Sequence, residues 1–387
     1  MATQGQVYGD GASVGASQLN PHFYERKALI EKRKEQYFGQ LAAVKQMPKN
    51  SGKQIKQYHI IPLLDDANVN DQGLDAAGAT YVNGNLYGSS KDVGLIPSKL
   101  PVLSETGGRV NRVGFTRKEL SGTFENMGFF HEYSEDLLNF DSDAELAEHF
   151  TRELMNGAME ITEDALQIDL LNNANTLRYT GAATSNATID HTSVVTYQDL
   201  MRLSIDLDNN RTPKHTTVIT GTRLVDTVTV NACRVLYVGS ELIPTLEAMV
   251  DLHGNPAFIP ARKYAAGTTV LNGERGSVGE FRVIVVPEMM KWAGAGATAS
   301  NAAFYATAGK YDVFPMLTVG DESFTTIGFQ TDGKSMKFKV IHKKPSEETA
   351  SKEDPYGKLG FTSIQWWYGF MALRPERIGL IKTAAKM

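Results

Sequence analysis

The last seventy residues of the chain alternate between short apolar segments and tight turns. The segment TVGDESFTTIGF (318–329) places a Gly320-Asp321 turn beside Phe324, and MKFKVIHKKP (336–345) alternates polar and apolar residues. The aromatic stretch FTSIQWWYGFMALRPERIGLIK (361–382) follows and contains a Pro-Glu turn. A period of two indicates strands. The C-terminal part is therefore predicted to be built from sheet strands, and none of its residues is placed like a catalyst.

A long helix is predicted in the middle of the chain. Ser142 and Glu145 have the spacing of a capping box. The apolar face then continues through Leu146, Phe150, Leu154, Ala158, Ile161, Ala165, Ile168 and Leu171. These steps are close to the helical period, so we expect a rod of roughly 45 Å with Ile161 buried. This helix is longer than the average in globular proteins.

The order of these segments resembles that of tailed-bacteriophage major capsid proteins. It is most similar to the coat proteins of short-tailed phages that carry a giant polymerase. The resemblance implies an α+β chain with the capsid fold that tailed phages share with herpesviruses. It also implies five regions: an N-terminal arm (1–50), an extended loop with flanking peripheral-domain strands (51–140), a peripheral domain with a spine helix (141–195), an α/β axial domain (196–310), and C-terminal strands that complete both domains (311–387).

The predicted arm has two parts. Residues 1–19 are rich in Gly, Ser, Ala and Gln and cannot build a core, so contact with a partner is the favoured interpretation. Asn20-Pro21 can open an amphipathic helix that continues to Val44.

The predicted extended loop is rich in glycine from Gly73 to Gly108, between strand-like flanks at 54–64 and 111–120. Loops of this length are usually functional or disordered. In the family that the chain resembles, the corresponding loop lies across the neighbouring subunit. A flexible surface loop is the alternative.

The predicted axial domain has short alternating elements, as expected of an α/β lobe. Thr196–Asp199 is predicted to open a helix that buries Leu200, Leu203 and Leu207. The remaining expectations are strands at His215–Thr220, Thr268–Leu271 and Phe281–Val286, and helices at Gly221–Ala232 and Glu241–Val250.

Residues Gly328 to Ser335 match the phosphate-binding loop pattern at every fixed position. That chemistry needs a strand, the loop and then a helix whose N-terminal amides hold the phosphates. Residues after Ser335 alternate with a period of two, so Thr331–Lys334 is predicted to be a hairpin turn with Asp-Gly at its centre. A nucleotide-binding enzyme that uses Lys334 and Ser335 is kept as the alternative.

Composition excludes several other classes. The net charge of −5 argues against a protein that grips nucleic acid over much of its surface. Cys233 is the single cysteine, and it excludes an intrachain disulfide framework. The sequence contains no apolar run of membrane-spanning length. Its eight histidines follow no metal-binding spacing. We therefore expect no catalytic residue, no cofactor, no metal site and no membrane contact.

The resemblance implies a function in virion structure. It predicts that the protein assembles with itself into pentamers and hexamers of an icosahedral head, and that the packaged double-stranded DNA is contacted only non-specifically. A scaffold, a portal and a decoration protein are the further partners that it allows. The expected location is the virion, after assembly in the host cytoplasm. Another virion component, such as a tail or decoration protein, is the structural alternative.

Overall fold

A computed structural model of the chain describes residues 37–41, 43–47, 52–60, 117–140, 146–219, 227–231, 233–264, 270–331, 334–335, 338–346, 350 and 354–387. The segment 1–19, the helix start at Asn20-Pro21, the loop Gly73–Gly108 and the capping box at Ser142 lie outside the described residues.

The described helices and strands follow one another from Ala43 to Thr383. The helices are α1 (Glu135–Phe140), α2 (Leu146–Asn172), α3 (Tyr197–Asn209) and α4 (Ile243–Glu247). The first nine strands are β1 (Ala43–Met47), β2 (Gln54–Ile60), β3 (Arg117–Ser134), β4 (Thr176–Tyr179), β5 (His215–Ile219), β6 (Thr227–Asn231), β7 (Arg234–Gly239), β8 (Phe258–Pro260) and β9 (Glu274–Val278). The others are β10 (Phe281–Val286), β11 (Ala306–Thr307), β12 (Lys310–Tyr311), β13 (Phe314–Val319), β14 (Phe324–Thr331), β15 (Lys334–Ser335), β16 (Phe338–Lys343), β17 (Leu359–Ala372) and β18 (Ile378–Thr383).

One mixed sheet forms the main core. Its strand order is β4-β18-β13-β7-β10-β9-β8, with β7 parallel to β10 and β4 parallel to β18. Every residue of β7 and of β13 is buried, as expected of strands covered on both faces. On one face, Leu236 and Val238 pack in the same cluster as the leucines of α3. On the other, Val235 and Tyr237 share a cluster with Leu166 and Leu170 of α2.

A second sheet has the order β1-β14-β17-β3-β2, with β15 paired to β14 and β16 paired to β17. β1 lies parallel to β14, and β2 is antiparallel to β3 over the whole length of β2. A small apolar cluster centres on Ile327 and Met371. The chain separates into two compact units; among the described residues, the smaller contains 129–157 and 340–364.

The smaller unit has its own polar and aromatic interior. The Tyr133 hydroxyl lies 3.2 Å from His342 Nε2 and donates to the Lys343 carbonyl oxygen at 3.2 Å. His342 Nδ1 lies 2.6 Å from the Thr362 hydroxyl. Burial raises the pKa of Tyr133, so its hydroxyl keeps its proton.

Several predicted elements are confirmed. The long helix is present as α2, and the helix predicted at Thr196–Asp199 is α3, with Leu200, Leu203 and Leu207 buried. Its capping box is formed because the Thr196 amide donates to Asp199 Oδ2 at 3.0 Å and the Thr196 hydroxyl accepts from the Asp199 amide. The strands at His215–Ile219 and Phe281–Val286 are also confirmed, and short helical turns occupy part of Glu241–Val250.

Three predicted elements are wrong in the part of each that the structure describes. Val44 lies in β1, so the N-terminal helix does not extend that far. Thr227–Asn231 forms β6 and pairs antiparallel with β5, whereas a helix was expected; its alternating Thr and Val residues favour a strand. Leu271 lies outside any strand, and the neighbouring strand is Glu274–Val278.

The predicted apolar face of α2 is confirmed at Leu154 and Ala158 and is wrong further along the helix. Ile161 is 45% exposed, and Ile168 is exposed as well. After Leu154 and Ala158, the buried apolar positions continue at Leu166 and Leu170, in multiples of four residues. Both sets satisfy a helical period, so the sequence pattern alone does not choose between these two faces.

The Gly320-Asp321 turn is clasped by the Pro-Glu turn near the C-terminus. The Gly320 amide donates to the Arg377 carbonyl oxygen at 3.0 Å. The Leu373 and Arg374 amides donate to the Ser323 carbonyl oxygen at 2.8 and 2.9 Å. A Cβ atom at Gly320 would approach Thr212 Cγ2 to 2.6 Å and the Arg377 carbonyl oxygen to 2.9 Å. Glycine is therefore required at this close approach.

We predict that Gly320→Ala lowers the free energy of unfolding by about 1–3 kcal/mol, because the added methyl group overpacks the clasp. Chemical denaturation of unassembled protein measures the change. Gly157→Ala is the control, since its Cβ would meet Phe129 Cζ at an ordinary 3.5 Å and helical alanine is favoured over glycine by up to about 1 kcal/mol. Equal stability of wild type and Gly320→Ala would contradict the clasp.

A buried arginine organises the polar contacts at the start of β7. Arg234 is almost fully buried and donates to Asp208 Oδ1 at 2.6 Å and to the Thr212 carbonyl oxygen at 2.8 Å. Glu280 lies 3.6 Å from the same guanidinium, and Lys214 bridges Asp208 and Glu280 at 3.3 and 2.8 Å. Burial works to raise the pKa of Asp208, but Arg234 and Lys214 outweigh it and lower the pKa. Hydrogen bonds from Lys214 and Ser204 lower the pKa of Glu280.

These lowered pKa values predict loss of stability in acid. Carboxylates with a lowered folded pKa stabilise the protein above their unfolded pKa, and this contribution is lost as the pH falls through the folded pKa. We expect the melting temperature to begin falling below about pH 4.5, the ordinary value for glutamate. Glu280→Gln should flatten this fall, and Glu132→Gln, at an exposed position, should not. Identical pH profiles for wild type and Glu280→Gln would contradict the role of the cluster.

Candidate assembly surfaces

The phosphate-loop motif does not fold as a phosphate site. Lys334 and Ser335 form β15, which pairs with Thr331 and Gln330 of β14. The predicted hairpin is confirmed, although its two central residues lie outside the described part of the chain. The next described segment, Phe338–Lys343, is a strand. The nucleotide-binding alternative therefore lacks the helix that would hold the phosphates.

A cleft of about 490 Å³ opens beside β8 and β9. Its lining residues are Glu247, Pro256, Phe258, Pro260, Ala261, Arg262, Lys263, Glu274 and Arg275. Glu274 is held internally, since Arg282 Nε lies 3.1 Å away and the Tyr264 hydroxyl and Leu271 amide donate to it at 2.9 and 2.8 Å. Arg275 pairs with Glu247 at 3.2 Å. The lining contains no hydroxyl, thiol or imidazole, so it offers no Ser-His or Cys-His pair.

No group of three or more His, Cys, Asp or Glu side chains within the described ranges could hold a metal ion. In that part of the chain, none of the helices combines the length and the apolar character needed to cross a membrane.

An apolar surface, the edge patch, lies on the chain segment around this cleft. It consists of Val250, Leu252 and Ile259, each at least half exposed. Asp251 fixes the loop by accepting from the His253 and Asn255 amides, both at 2.8 Å. These backbone hydrogen bonds, the Asn255 amide first, lower the pKa of Asp251. A fixed loop that presents several large apolar side chains is typical of a protein contact.

Two helices also present apolar side chains to solvent. Ile161 and Ile168 are seven residues apart on α2, so they lie on one side of the helix. Met201 and Ile205 have the same relation on α3, four residues apart. The α2 pair stands opposite Leu166 and Leu170, and the α3 pair stands opposite the buried leucines of that helix. Each helix therefore has a second apolar side that the described residues leave exposed.

The smaller unit exposes apolar residues on its strands. Val340 and Ile341 are adjacent in β16 and point to opposite faces, yet both are exposed. Phe130, Tyr356 and Leu359 are exposed as well. A strand with β-branched residues exposed on both faces gains little burial within one chain.

β2 and β3 form a long two-stranded ribbon. β3 has 18 residues, and at about 3.3 Å per residue it spans roughly 60 Å. Lys56 and Glu119 form an ion pair across the ribbon, and this hydrogen bond raises the pKa of Lys56. The Arg117 guanidinium lies 4.3 Å from the centre of the Tyr58 ring. These contacts hold the ribbon together before it enters the loop.

Sequence reasoning missed the edge patch because it extended a helix to Val250. The segment MVDLHGNPAFI (249–259) has a signal that could have revealed the loop. Its Asp-x-x-Gly-Asn-Pro residues favour a turn, and apolar residues flank it on both sides. Val250 and Pro256 indeed form an antiparallel bridge.

Comparisons with known proteins point to one kind of protein. A family model described as phage capsid protein matches residues 119–383. The major capsid protein of Pseudomonas phage KPP21 is 58% identical over 386 residues, which is 98% of this chain and 97% of that protein. The capsid of Ralstonia phage GP4 is structurally similar with a TM-score of 0.58 at 10% identity, covering 97% of this chain and 98% of that one. The capsid of cyanophage Pam1 has a TM-score of 0.57 at 12% identity, covering 98% and 99%.

The two apolar sides of α2 give a matched pair of substitutions. Leu166 is 2% exposed, so Leu166→Asp buries an unpaired carboxylate, which costs about 3–5 kcal/mol, and we expect little folded protein. Ile161→Asp places its charge in solvent, so the protomer should melt within a few degrees of wild type. Ile161→Asp should nevertheless lower the yield of large assemblies. Circular dichroism and sedimentation velocity on the same samples measure both effects; unfolding by Ile161→Asp would contradict the exposed side.

Proposed function

The chain belongs to the phage capsid protein family, and from this premise we propose how its copies build a phage head. It is a major capsid protein of the head shell. The observation that carries this conclusion is the match at 58% identity over 98% of the chain to a major capsid protein. The match includes both sheets and α2, so it extends to the whole described architecture.

We propose that the shell is icosahedral and is made of pentamers and hexamers. A closed shell needs contacts between different surfaces of identical subunits, repeated around symmetry axes. The edge patch and the exposed sides of α2 and α3 are separate surfaces of this kind, because each leaves apolar side chains uncovered in the single chain. Their number supports several different neighbour contacts for each copy.

We propose that double-stranded DNA fills the shell and is contacted non-specifically. The net charge of −5 supports local contacts at most, because a continuous cationic surface would need more Lys and Arg. A scaffold, a portal and a decoration protein are proposed as further partners, and the host cytoplasm as the place of assembly.

The protein is proposed to act without catalysis. Support comes from the cleft beside β8, whose lining lacks hydroxyl, thiol and imidazole groups, and from the strand conformation of Lys334 and Ser335. Calorimetry with ATP and Mg²⁺ tests this directly. Binding at millimolar affinity or tighter that Lys334→Ala abolishes would refute it.

Negative-stain microscopy of the purified protein tests the proposed assembly. We expect closed particles of uniform diameter, with five-fold and six-fold clusters. Rings or trimers without shells would instead support the alternative of a tail or decoration protein.

The proposed role of the extended loop gives a further prediction. Gly78, Gly84, Gly88 and Gly94 interrupt residues 78–104 and raise the entropy cost of ordering them, so we propose that contacts outside their own lobe offset this cost. We propose that the neighbouring subunit supplies these contacts. Replacing 78–104 with a short Gly-Ser linker should give folded protomers or small oligomers that do not close shells. Circular dichroism and sedimentation velocity on one sample measure this; wild-type-sized shells would refute the bridging role, and lost secondary structure would place the loop in a core.

A further inference from the structure

Three consecutive backbone amides hold one carboxylate on α2. The Tyr37 and Phe38 amides donate to Glu163 Oε1 at 2.7 and 2.6 Å, and the Gly39 amide donates to Oε2 at 3.1 Å. Successive amides that converge on one anion form a nest, a geometry that favours negative charge. Hydrogen bonds to a charged acceptor are roughly twice as strong as those between neutral groups.

The helix that carries Glu163 is fixed in the core of the larger unit. Leu166 and Leu170 are buried one and two turns away. The Tyr368 hydroxyl of β17 donates to Asp169 Oδ2 at 2.6 Å. Burial raises the pKa of both groups, so the hydroxyl remains a donor. The carboxylate of Glu163 is therefore presented by a helix that is packed into the core.

The residues that donate these amide hydrogen bonds are also closely packed. Phe38 is 1% exposed, and its ring centre lies 4.9 Å from that of Tyr237 in β7. A Cβ atom at Gly39 would lie 3.2 Å from Glu163 Oε2, so glycine lets the carboxylate approach. A few residues later, β1 joins the second sheet beside β14. The nest is thus the first described contact of the chain and precedes its first described strand.

We propose that Glu163 is the positioning residue for the N-terminal arm. By binding residues 37–39, Glu163 fixes the position at which the arm, residues 1–36, joins the larger unit. This position determines which neighbouring subunit the arm can reach. The reach to a neighbour rests on the proposed function. The anchor itself rests only on the contacts within this chain.

Glu163→Gln is the test, because glutamine keeps the size of the side chain but has one acceptor oxygen and no charge. Amide hydrogen exchange over 37–47 should become at least about tenfold faster, since at least one charge-assisted hydrogen bond is lost. Exchange in β7 and β13 should stay unchanged, and the yield of closed shells in sedimentation velocity should fall. Glu153→Gln, at an exposed position of the same helix, is the control for amide exchange and should leave exchange over 37–47 unchanged.

Unchanged exchange over 37–47 would overturn the anchor, and faster exchange with wild-type shell yield would overturn its role in arm placement. If Glu163→Gln unfolds the larger unit, Gly39→Val replaces it as the test of the anchor. Gly39 is exposed, and the added side chain would crowd Glu163 Oε2. Amide exchange over 37–47 and the yield of closed shells are again the two measurements. The exchange comparison needs no shell. It therefore judges the anchor even if the wild-type chain forms no shells, a result that would count against the proposed function instead.

Discussion

The structure depends on the burial of β7 from both sides. Successive side chains of a strand point to opposite faces, so a strand with no exposed residue needs cover on each face. Leu236 and Val238 take that cover from α3, and Val235 and Tyr237 take it from the α2 side. The two helices therefore pack against one strand, which follows both of them in the sequence. Because each helix packs one side against β7, its other side, which carries Ile161 and Ile168 on α2 and Met201 and Ile205 on α3, faces away from the sheet.

The same arrangement explains which predictions were right. The buried side of α3 and its capping residues Thr196 and Asp199 were predictable, because its three leucines are spaced three and four residues apart and so lie on one side of the helix. The hairpin at β14 and β15 was predictable from alternation and Asp-Gly. The Gly320 turn was recognised by resemblance, and its cause is the closeness of Thr212 and Arg377.

The wrong predictions also have physical causes. α2 has apolar residues on two sides, and a periodicity count does not show that one side is left for other molecules. Val44 continues a helical pattern in sequence, yet its strand is fixed by pairing with Thr326, which is 282 residues away. The nest at Glu163 had no sequence signal, because backbone amides act as the donors and any residue can supply them. Pairing and packing between distant segments decided each of these cases.

The prolines at the edge of the main sheet have a consequence for the chain at high concentration. β8 is the last strand of that sheet, has only three residues, and carries Pro260 at its end and Pro256 just before it. Proline has no amide hydrogen, so another strand cannot add along this edge in a continuous ladder. A protein whose many copies crowd together faces competition between ordered polymerisation and amyloid-like stacking. At this edge the prolines disfavour amyloid-like stacking. Contacts with a neighbouring copy must therefore be made mainly by side chains, which favours ordered polymerisation.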